Sequence, residues 1–272
     1  MPRITVTEAE ALLDRECPVL DRGFVRLIDY MGGDARIVAA ARVSYGHGTK
    51  TVREDRALIH YLMKNGHTSP FEQVILTFHA KMPIFVARQW VRHRTARLNE
   101  VSGRYSILTD EFFLPGANDI RKQSRINKQG RSDEDISAEL QQRVLDTLRR
   151  DQAAVYASYQ EMLNSNIARE LARVNLPLST YTQWYWQIDL HNLFHFLRLR
   201  LDSHAQLEIR RYAETMAMMT KAVAPIAYEA FEEYDLHSLH ISRSEKEHLL
   251  RFLQTPQADL SEVAELSKML RD

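Results

Sequence analysis

One short segment of this chain concentrates side chains that can hold an anionic ligand. Residues 92–105 contain four arginines together with an imidazole, a carboxylate, an amide and a hydroxyl: Arg92, His93, Arg94, Arg97, Asn99, Glu100, Ser102 and Arg104. The segment follows a strongly apolar run over residues 83–91, so its guanidinium groups begin at the edge of a buried element. Guanidinium groups suit two-pronged recognition of phosphates and of carbonyl edges. The pattern predicts a site for an anionic small molecule such as a nucleotide.

A simpler interpretation of the same arginines is structural. A helix starting at Pro83 would put Arg88 and Arg92 on one face, with Gln89 and His93 on the adjacent face. Residues 92–94 would then complement the negative end of the helix dipole. Four arginines with a nearby amide, carboxylate and hydroxyl exceed what dipole complementation needs, which favours a ligand site.

Composition excludes several classes of protein. Lysine plus arginine and aspartate plus glutamate number 36 each, and this balance counts against a general nucleic-acid binder. The one cysteine, Cys17, permits no intrachain disulfide, and no apolar run approaches the length of a membrane span. The N-terminal residues lack the order of a signal peptide. We therefore expect a cytoplasmic protein without a membrane partner.

Two other groups of polar residues are candidates for a site. The segment 67–72 joins a helix to a buried strand, and its side chains either line a pocket or simply close a turn. His191 and His195 have the spacing of a metal-binding pair on a helix, but Asn192 stands where a zinc protease would have glutamate. We therefore predict no metal site, and a metal-dependent hydrolase stays as an alternative.

Hydrophobic periodicity predicts the elements that position these residues. Strands are expected over 23–31, 71–82 and 179–188. Helices are expected over 34–42, 53–64, 135–164 and 166–175, and again from Asp189 to about 234 with a break near Asp202. Asp34 is expected to cap the first helix, and Pro83 to open the helix after the second strand. Residues 116–134 are polar and predict a loop.

The absence of a glycine-rich phosphate loop bears on the fold class. The chain has only nine glycines, and two helices occur in succession without a strand between them. Both features disfavour a doubly wound dinucleotide-binding sheet. They favour an α+β fold with a mixed sheet and long helices.

The pattern Arg92-His93-Arg94, seven residues and then Ser102 resembles the signature of the flavin-dependent thymidylate synthases. The similarity extends through Asn99-Glu100 and Arg104-Tyr105. Three further blocks follow the family's order: ARVSY at 41–45, HTSPFE at 67–72 and LRLDSHAQ at 199–206. The blocks span most of residues 24–215.

This resemblance implies an activity and an assembly. The enzyme would convert dUMP to dTMP with methylenetetrahydrofolate as carbon donor and with FAD, reduced by NADPH, as hydride source, without a cysteine nucleophile. Residues 1–272 would form a single domain, with a variable tail over about 235–272, and four copies would share their active sites. A non-catalytic module that binds a nucleotide or RNA is the alternative.

The resemblance also implies roles for individual residues. Arg200 would be catalytic and would stabilise negative charge on the uracil ring. The residues that contact dUMP would be Gln89, Arg92, Glu100, Ser102, Gly103, Arg104, Arg173 and Arg200. FAD would be contacted by Ser44, His67, Ser69, Glu72, Arg92, His93, Arg94, Glu100, Asp189, His191 and His195. Family members often carry serine at position 97, and asparagine and arginine at 189 and 191, so the contacts of Arg97, Asp189 and His191 would differ here.

Overall fold

The computed structural model describes residues 3–43, 52–125 and 129–254, in which short strands alternate with helices. The strands are β1 (Cys17–Val19), β2 (Gly23–Met31), β3 (Ile75–Pro83), β4 (Arg97–Glu100) and β5 (Tyr181–Asp189). The α-helices are α1 (Thr7–Glu10), α2 (Asp34–Arg42), α3 (Val52–Lys64), α4 (Ile84–Trp90), α5 (Ala138–Asn164), α6 (Arg169–Ala172), α7 (Leu190–Leu201), α8 (Leu207–Val223), α9 (Pro225–Phe231) and α10 (Arg243–Gln254). Over these ranges no helix combines the length and the apolarity needed to cross a membrane.

The five strands form one antiparallel sheet in the order β1-β2-β3-β5-β4. The α+β class is therefore confirmed, but the predicted mixed sheet is wrong. Among the described residues the only parallel pairing is the isolated bridge between Leu13 and Leu27. Alternating burial along a strand is the same whichever way its neighbour runs, so the sequence pattern could not give strand direction.

The pairing of β3 with β5 organises the core. It runs without interruption from Ile75 opposite Asp189 to Pro83 opposite Tyr181. On one face of the sheet Trp184 and Trp186 of β5 pack edge-on against Trp90 of α4, with ring centroids 5.4 Å apart in both pairs. Trp90 also stacks on Phe196 of α7 at 5.2 Å. This aromatic cluster fixes α4 and α7 against the same face of the sheet.

Helix α8 crosses the sheet where β2 begins, and a glycine makes the approach possible. The hydroxyl of Tyr212 donates a hydrogen bond to the carbonyl oxygen of Lys81 at 2.7 Å. A Cβ atom on Gly23 would lie 2.0 Å from that hydroxyl and 2.7 Å from the same carbonyl oxygen. Any larger residue at position 23 would therefore displace Tyr212.

Most predicted elements are confirmed, with boundaries that shift by a few residues. The largest errors concern the segment richest in arginine. Helix α4 ends at Trp90 instead of running through 94, and residues 97–100 form the unpredicted edge strand β4. Strand β4 is exposed throughout, so it carries no alternating apolar pattern that sequence could reveal. The helix predicted over 166–175 is only α6 followed by a 3₁₀ turn, Arg173–Asn175.

Asp34 does not cap its own helix, contrary to the prediction. The N-cap of α2 is Gly33, which makes no side-chain capping bond. Both Asp34 carboxylate oxygens instead accept hydrogen bonds from the backbone of α9, Oδ2 from Ile226 N–H at 2.8 Å and Oδ1 from Ala227 N–H at 2.9 Å. Burial raises the pKa of the Asp34 carboxyl, and these two hydrogen bonds oppose that shift. The aspartate therefore ties two helices that are far apart in sequence.

We expect Asp34→Ala to lower the free energy of unfolding by about 1–3 kcal/mol, because two backbone N–H groups at the start of α9 lose their acceptor. Urea titration followed by circular dichroism measures the change. Asp151→Ala is the matched control, since Asp151 makes only an exposed ion pair with Arg150 and should alter stability by less than about 0.5 kcal/mol. Equal losses in the two variants would contradict this role of Asp34.

Candidate functional site

Three of the predicted site residues meet where α4 ends. The turn after Trp90 carries His93, and the last turn of α7 carries Arg200. The Arg200 Nε–H donates a hydrogen bond to His93 Nε2 at 3.1 Å, and Nη2 donates to the backbone carbonyl oxygen of Gln89 at 3.3 Å. The guanidinium has five N–H groups, so three remain for other acceptors. Arg200 is thus held by its neighbours while most of its donors stay available.

The environment of this pair keeps the imidazole neutral. Burial lowers the pKa of His93 to about 4, and the positive charge of Arg200 and the neighbouring His195 contribute to the same shift. A neutral ring agrees with the hydrogen bond, because His93 Nε2 must be an acceptor and the ring proton then sits on Nδ1. Burial also lowers the pKa of the Arg200 guanidinium. The site therefore holds one cation beside a neutral ring.

A cavity of about 360 Å³ lies along α7, which lines it from His191 in the first turn to Arg198. It brings together three histidines that the sequence placed in one group only by resemblance: His67, His191 and His195. His195 also contacts His93, with ring centroids 5.9 Å apart, so the cavity adjoins the Arg200 cluster. Its volume lies within the range of small-molecule sites.

The sequence did not predict several residues that line this cavity. Phe71 and Phe194 provide apolar walls, and Asp235 and His240 come from the region predicted to be a variable tail, just after Tyr234. An ion pair between Arg198 and Asp235, at 3.1 Å, holds this region against α7. Pairs so distant in sequence leave no local signal.

The stretch from Glu100 to Arg104 leaves the sheet edge toward a second group of predicted residues. Glu100 Oε1 accepts a hydrogen bond from the Thr182 hydroxyl of β5 at 2.6 Å, which orients the carboxylate. Gly103 lies against Arg173, because a Cβ atom at 103 would be 3.0 Å from Arg173 Cδ. Arg104 forms an ion pair with Glu170 at 3.1 Å. The structure thus brings the 100–104 stretch and Arg173 together.

Several other predicted site residues are exposed or make contacts within their own turn or helix. Ser69 and Glu72 are exposed in the turn before β3, where Glu72 accepts a hydrogen bond from the Thr68 hydroxyl at 3.0 Å. Asp189 caps α7, accepting hydrogen bonds from the Asn192 backbone N–H at 2.9 Å and from its side-chain amide at 2.7 Å. Arg92 and Arg94 are exposed in the turn after α4, and Ser44 lies outside the described residues.

Neither the cysteine nor a metal-binding group of described side chains is part of this arrangement. Cys17 lies in β1, four strand spacings from β4, which amounts to roughly 19 Å across the sheet. Within the described ranges, His, Cys, Asp and Glu form no group of three or more that could hold a metal ion. In the described structure, therefore, neither the thiol nor a metal cluster accompanies the arginine and histidine groups.

Comparison with known proteins identifies the family. The family model Thy1, described as "Thymidylate synthase complementing protein", matches residues 26–226. A flavin-dependent thymidylate synthase of Treponema denticola is 67% identical over 215 residues, covering 79% of this chain and 81% of that protein. One of Treponema pallidum is 63% identical over 222 residues, covering 82% of this chain and 73% of that protein. The chain belongs to the flavin-dependent thymidylate synthases, a family of enzymes.

A solved structure agrees with this assignment. The crystal structure of a UMP/dUMP methylase, PolB from Streptomyces cacaoi, bound with 5-Br dUMP, superposes with a TM-score of 0.72 at 33% identity. The match covers 80% of this chain and 98% of that protein. The arginine and histidine groups therefore belong to an enzyme fold whose solved relative holds a pyrimidine nucleotide.

The neutral state of His93 leads to a pH-dependent stability. Its pKa is about 4 in the folded protein against an ordinary value of 6.5, so the unfolded chain binds more protons between these values. The contribution of this group to the free energy of unfolding is therefore full above pH 6.5 and is lost as the pH falls toward 4. We expect His93→Asn to give a shallower slope of unfolding free energy against pH in that window, measured by urea titrations. A slope equal to that of the wild type would argue against a half-buried neutral imidazole.

Proposed function

We propose that this protein synthesises dTMP from dUMP by reductive methylation. Methylenetetrahydrofolate would donate the carbon, and FAD reduced by NADPH would be the source of hydride. The observation that carries the proposal is the arrangement along α7. Arg200, with free guanidinium donors, lies in the last turn of this helix, and the histidine-lined cavity lies along the turns before it. The names of the relatives and the nucleotide bound to PolB support the same reaction.

In this proposal Arg200 activates the pyrimidine ring. Its remaining N–H groups would face the carbonyl and N3 edge of uracil, where negative charge develops as C5 becomes nucleophilic. A fixed cation next to a neutral His93 stabilises that charge without reorganisation. Covalent attachment to a thiol is then unnecessary, in keeping with the position of Cys17 at the far edge of the sheet.

The remaining arginines would hold the rest of the nucleotide. Arg104, and Arg173 beside Gly103, carry positive charge at one end of the 92–104 segment, and Arg92 carries it at the other. These guanidinium groups would supply the charge that binds the phosphate. Gly103 would let the backbone approach the ligand closely, and a Cβ atom there would already crowd Arg173. Gln89, Glu100 and Ser102 would supply hydrogen bonds to the sugar and base.

The histidine-lined cavity fits part of a flavin nucleotide. Its aromatic and imidazole rings offer faces for stacking, and Arg198 supplies a cation at its wall. The bound FAD would provide hydride chemistry when NADPH reduces it. The residues that would hold it are His67, Ser69, Glu72, Asp189, His191 and His195, together with Ser44, Glu100 and the Arg92–His93–Arg94 turn. His67 and His195, which both line the cavity, would orient its ring system.

A homotetramer with shared active sites is part of the proposal, and an exposed apolar surface supports it. Tyr105, Leu171 and Val174 are 77%, 62% and 75% exposed. The segments that carry them meet, because Arg169 Nη1 donates a hydrogen bond to the Tyr105 carbonyl oxygen at 2.5 Å. Exposed apolar groups of this size at a ligand-binding segment are typical of a surface that another subunit covers.

Tritium release from dUMP labelled at C5 tests the reaction directly. We expect release, with formation of dTMP, only when methylenetetrahydrofolate, FAD and NADPH are all present, because the C5 hydrogen leaves only after the carbon is transferred. Omitting each component in turn identifies its requirement. If the folded, flavin-loaded protein binds dUMP but releases no tritium under any condition, the proposed reaction is wrong.

Arg200→Ala should reduce tritium release by at least about 10²-fold while the flavin stays bound, because the charge that stabilises the activated ring is lost. Flavin absorbance and turnover are measured on the same preparation. Cys17→Ala is the control and should retain wild-type turnover, since the thiol has no role in the proposed chemistry. An active Arg200→Ala enzyme would remove the role assigned to this arginine.

His67→Ala should weaken flavin retention, because one wall of the cavity loses its ring. We expect the dissociation constant for FAD to rise on the order of tenfold, which corresponds to the loss of one good contact. Fluorescence titration of the apoprotein measures it. His248→Ala, which removes an exposed imidazole on α10, is the matched control and should bind FAD as the wild type does. Unchanged affinity in His67→Ala would place this histidine outside the flavin site.

A further inference from the structure

A buried carboxylate is linked by a continuous hydrogen-bond relay to Gln89, a residue of the proposed nucleotide site. Glu208, in the first turn of α8, is only 1% exposed. Its Oε1 is paired with the guanidinium of Arg131, and its Oε2 accepts a hydrogen bond from Gln206 Nε2 at 2.8 Å. The carbonyl Oε1 of Gln206 in turn accepts a hydrogen bond from Gln89 Nε2. These four residues, Arg131, Glu208, Gln206 and Gln89, form the relay.

The direction of the relay is set by the chemistry of its first members. Arginine only donates hydrogen bonds, and an ionised carboxylate only accepts them. Gln206 must therefore turn its NH₂ group toward Glu208, and its carbonyl oxygen is left to face Gln89. Gln89 then uses its own NH₂ group on Gln206. The orientation of each amide follows from the network, since amide N and O atoms are assigned by their partners.

The consequence is that Gln89 has its carbonyl oxygen free for a ligand. We propose that Glu208 is a positioning residue for nucleotide binding. Through Gln206 it holds the Gln89 amide so that Gln89 Oε1 accepts a hydrogen bond from a donor on the nucleotide, either a sugar hydroxyl or the ring N3–H. The inference rests on the proposed function, in which Gln89 contacts dUMP.

The positioning role explains the burial of Glu208 better than a contribution of its ion pair to the stability of the fold does. A buried ion pair gains little over apolar residues of the same size, because both charges must leave water. Here the carboxylate also connects the loop that carries Arg131 with the segment 203–210, and both line a cavity of about 890 Å³. A misdirected amide at Gln89 would present a donor to a donor, which costs binding affinity.

A double-mutant cycle tests whether Glu208 acts through Gln89. The dissociation constant of dUMP is measured by calorimetry for the flavin-loaded wild type, Glu208→Gln, Gln89→Ala and the double variant. Glu208→Gln keeps the shape of the side chain but allows either amide direction, so we expect dUMP binding to weaken about tenfold. The double variant should bind dUMP no more weakly than Gln89→Ala alone. Losses that multiply would show independent action and overturn the relay.

Two analogues identify the donor on the nucleotide. One is dUMP without its 3′-hydroxyl, and the other is dUMP methylated at N3. The wild type should bind the analogue that lacks the true donor more weakly than it binds dUMP. Gln89→Ala should bind that analogue and dUMP with equal affinity, because it has already lost the acceptor. If both analogues lose equal affinity for the two proteins, Gln89 Oε1 accepts from neither group and the proposal is wrong.

A second variant covers the case in which Glu208→Gln does not fold. Gln206→Leu interrupts the relay at an exposed position and leaves the pair between Glu208 and Arg131 in place. The same cycle with Gln89→Ala applies, with the same expected lack of additivity. A wild-type protein that does not bind dUMP would overturn the proposed function together with this inference. Additive losses beside normal wild-type binding would overturn the relay alone.

Discussion

The pairing of β3 with β5 is the constraint on which the site depends. Because its register places Ile75 opposite Asp189, the turn before β3 and the first turn of α7 lie at the same end of these two strands. Because Pro83 lies opposite Tyr181, α4 leaves from the other end of the same ladder. The histidine-lined cavity forms at the first of these ends, and the turn with His93 follows α4. One uninterrupted ladder thus sets the distance between two parts of one site.

Helix α7 spans that distance and gives its two ends different electrostatic tasks. His191 and Arg200 are nine residues apart, or about 13 Å along the helix axis. From its first turn onward the imidazoles line a cavity, and in its last turn a half-buried guanidinium is held by His93 and a backbone carbonyl. Burial favours the neutral form of His93, so Arg200 remains the single charge of the cluster. The aromatic cluster around Trp90 keeps this geometry rigid.

The sequence predicted the elements with strong periodicity and missed those defined by partners. Strand β2 and the long helix α5 carry clear apolar patterns, and both were found. Strand β4 exists only because β5 offers an edge, and Asp34 caps a helix nearly two hundred residues away. The resemblance to the family predicted Gln89 and Arg200 as site residues, but not the residues that contact them. Neither the shift in the His93 pKa nor the buried Glu208 relay has a signature within a short window, since both arise from contacts between distant segments.

The double use of α7 constrains how this protein can change in evolution. Inserting one residue between His195 and Arg200 would rotate everything after it by about 100° and advance it by about 1.5 Å. Arg200 would then point away from His93, while His191 and His195 kept their places in the cavity wall. Insertions and deletions should therefore be absent from this helix in functional relatives and collect in segments such as the polar loop over 116–134. The length of α7 therefore matters to the candidate site as much as the identity of any residue in the helix.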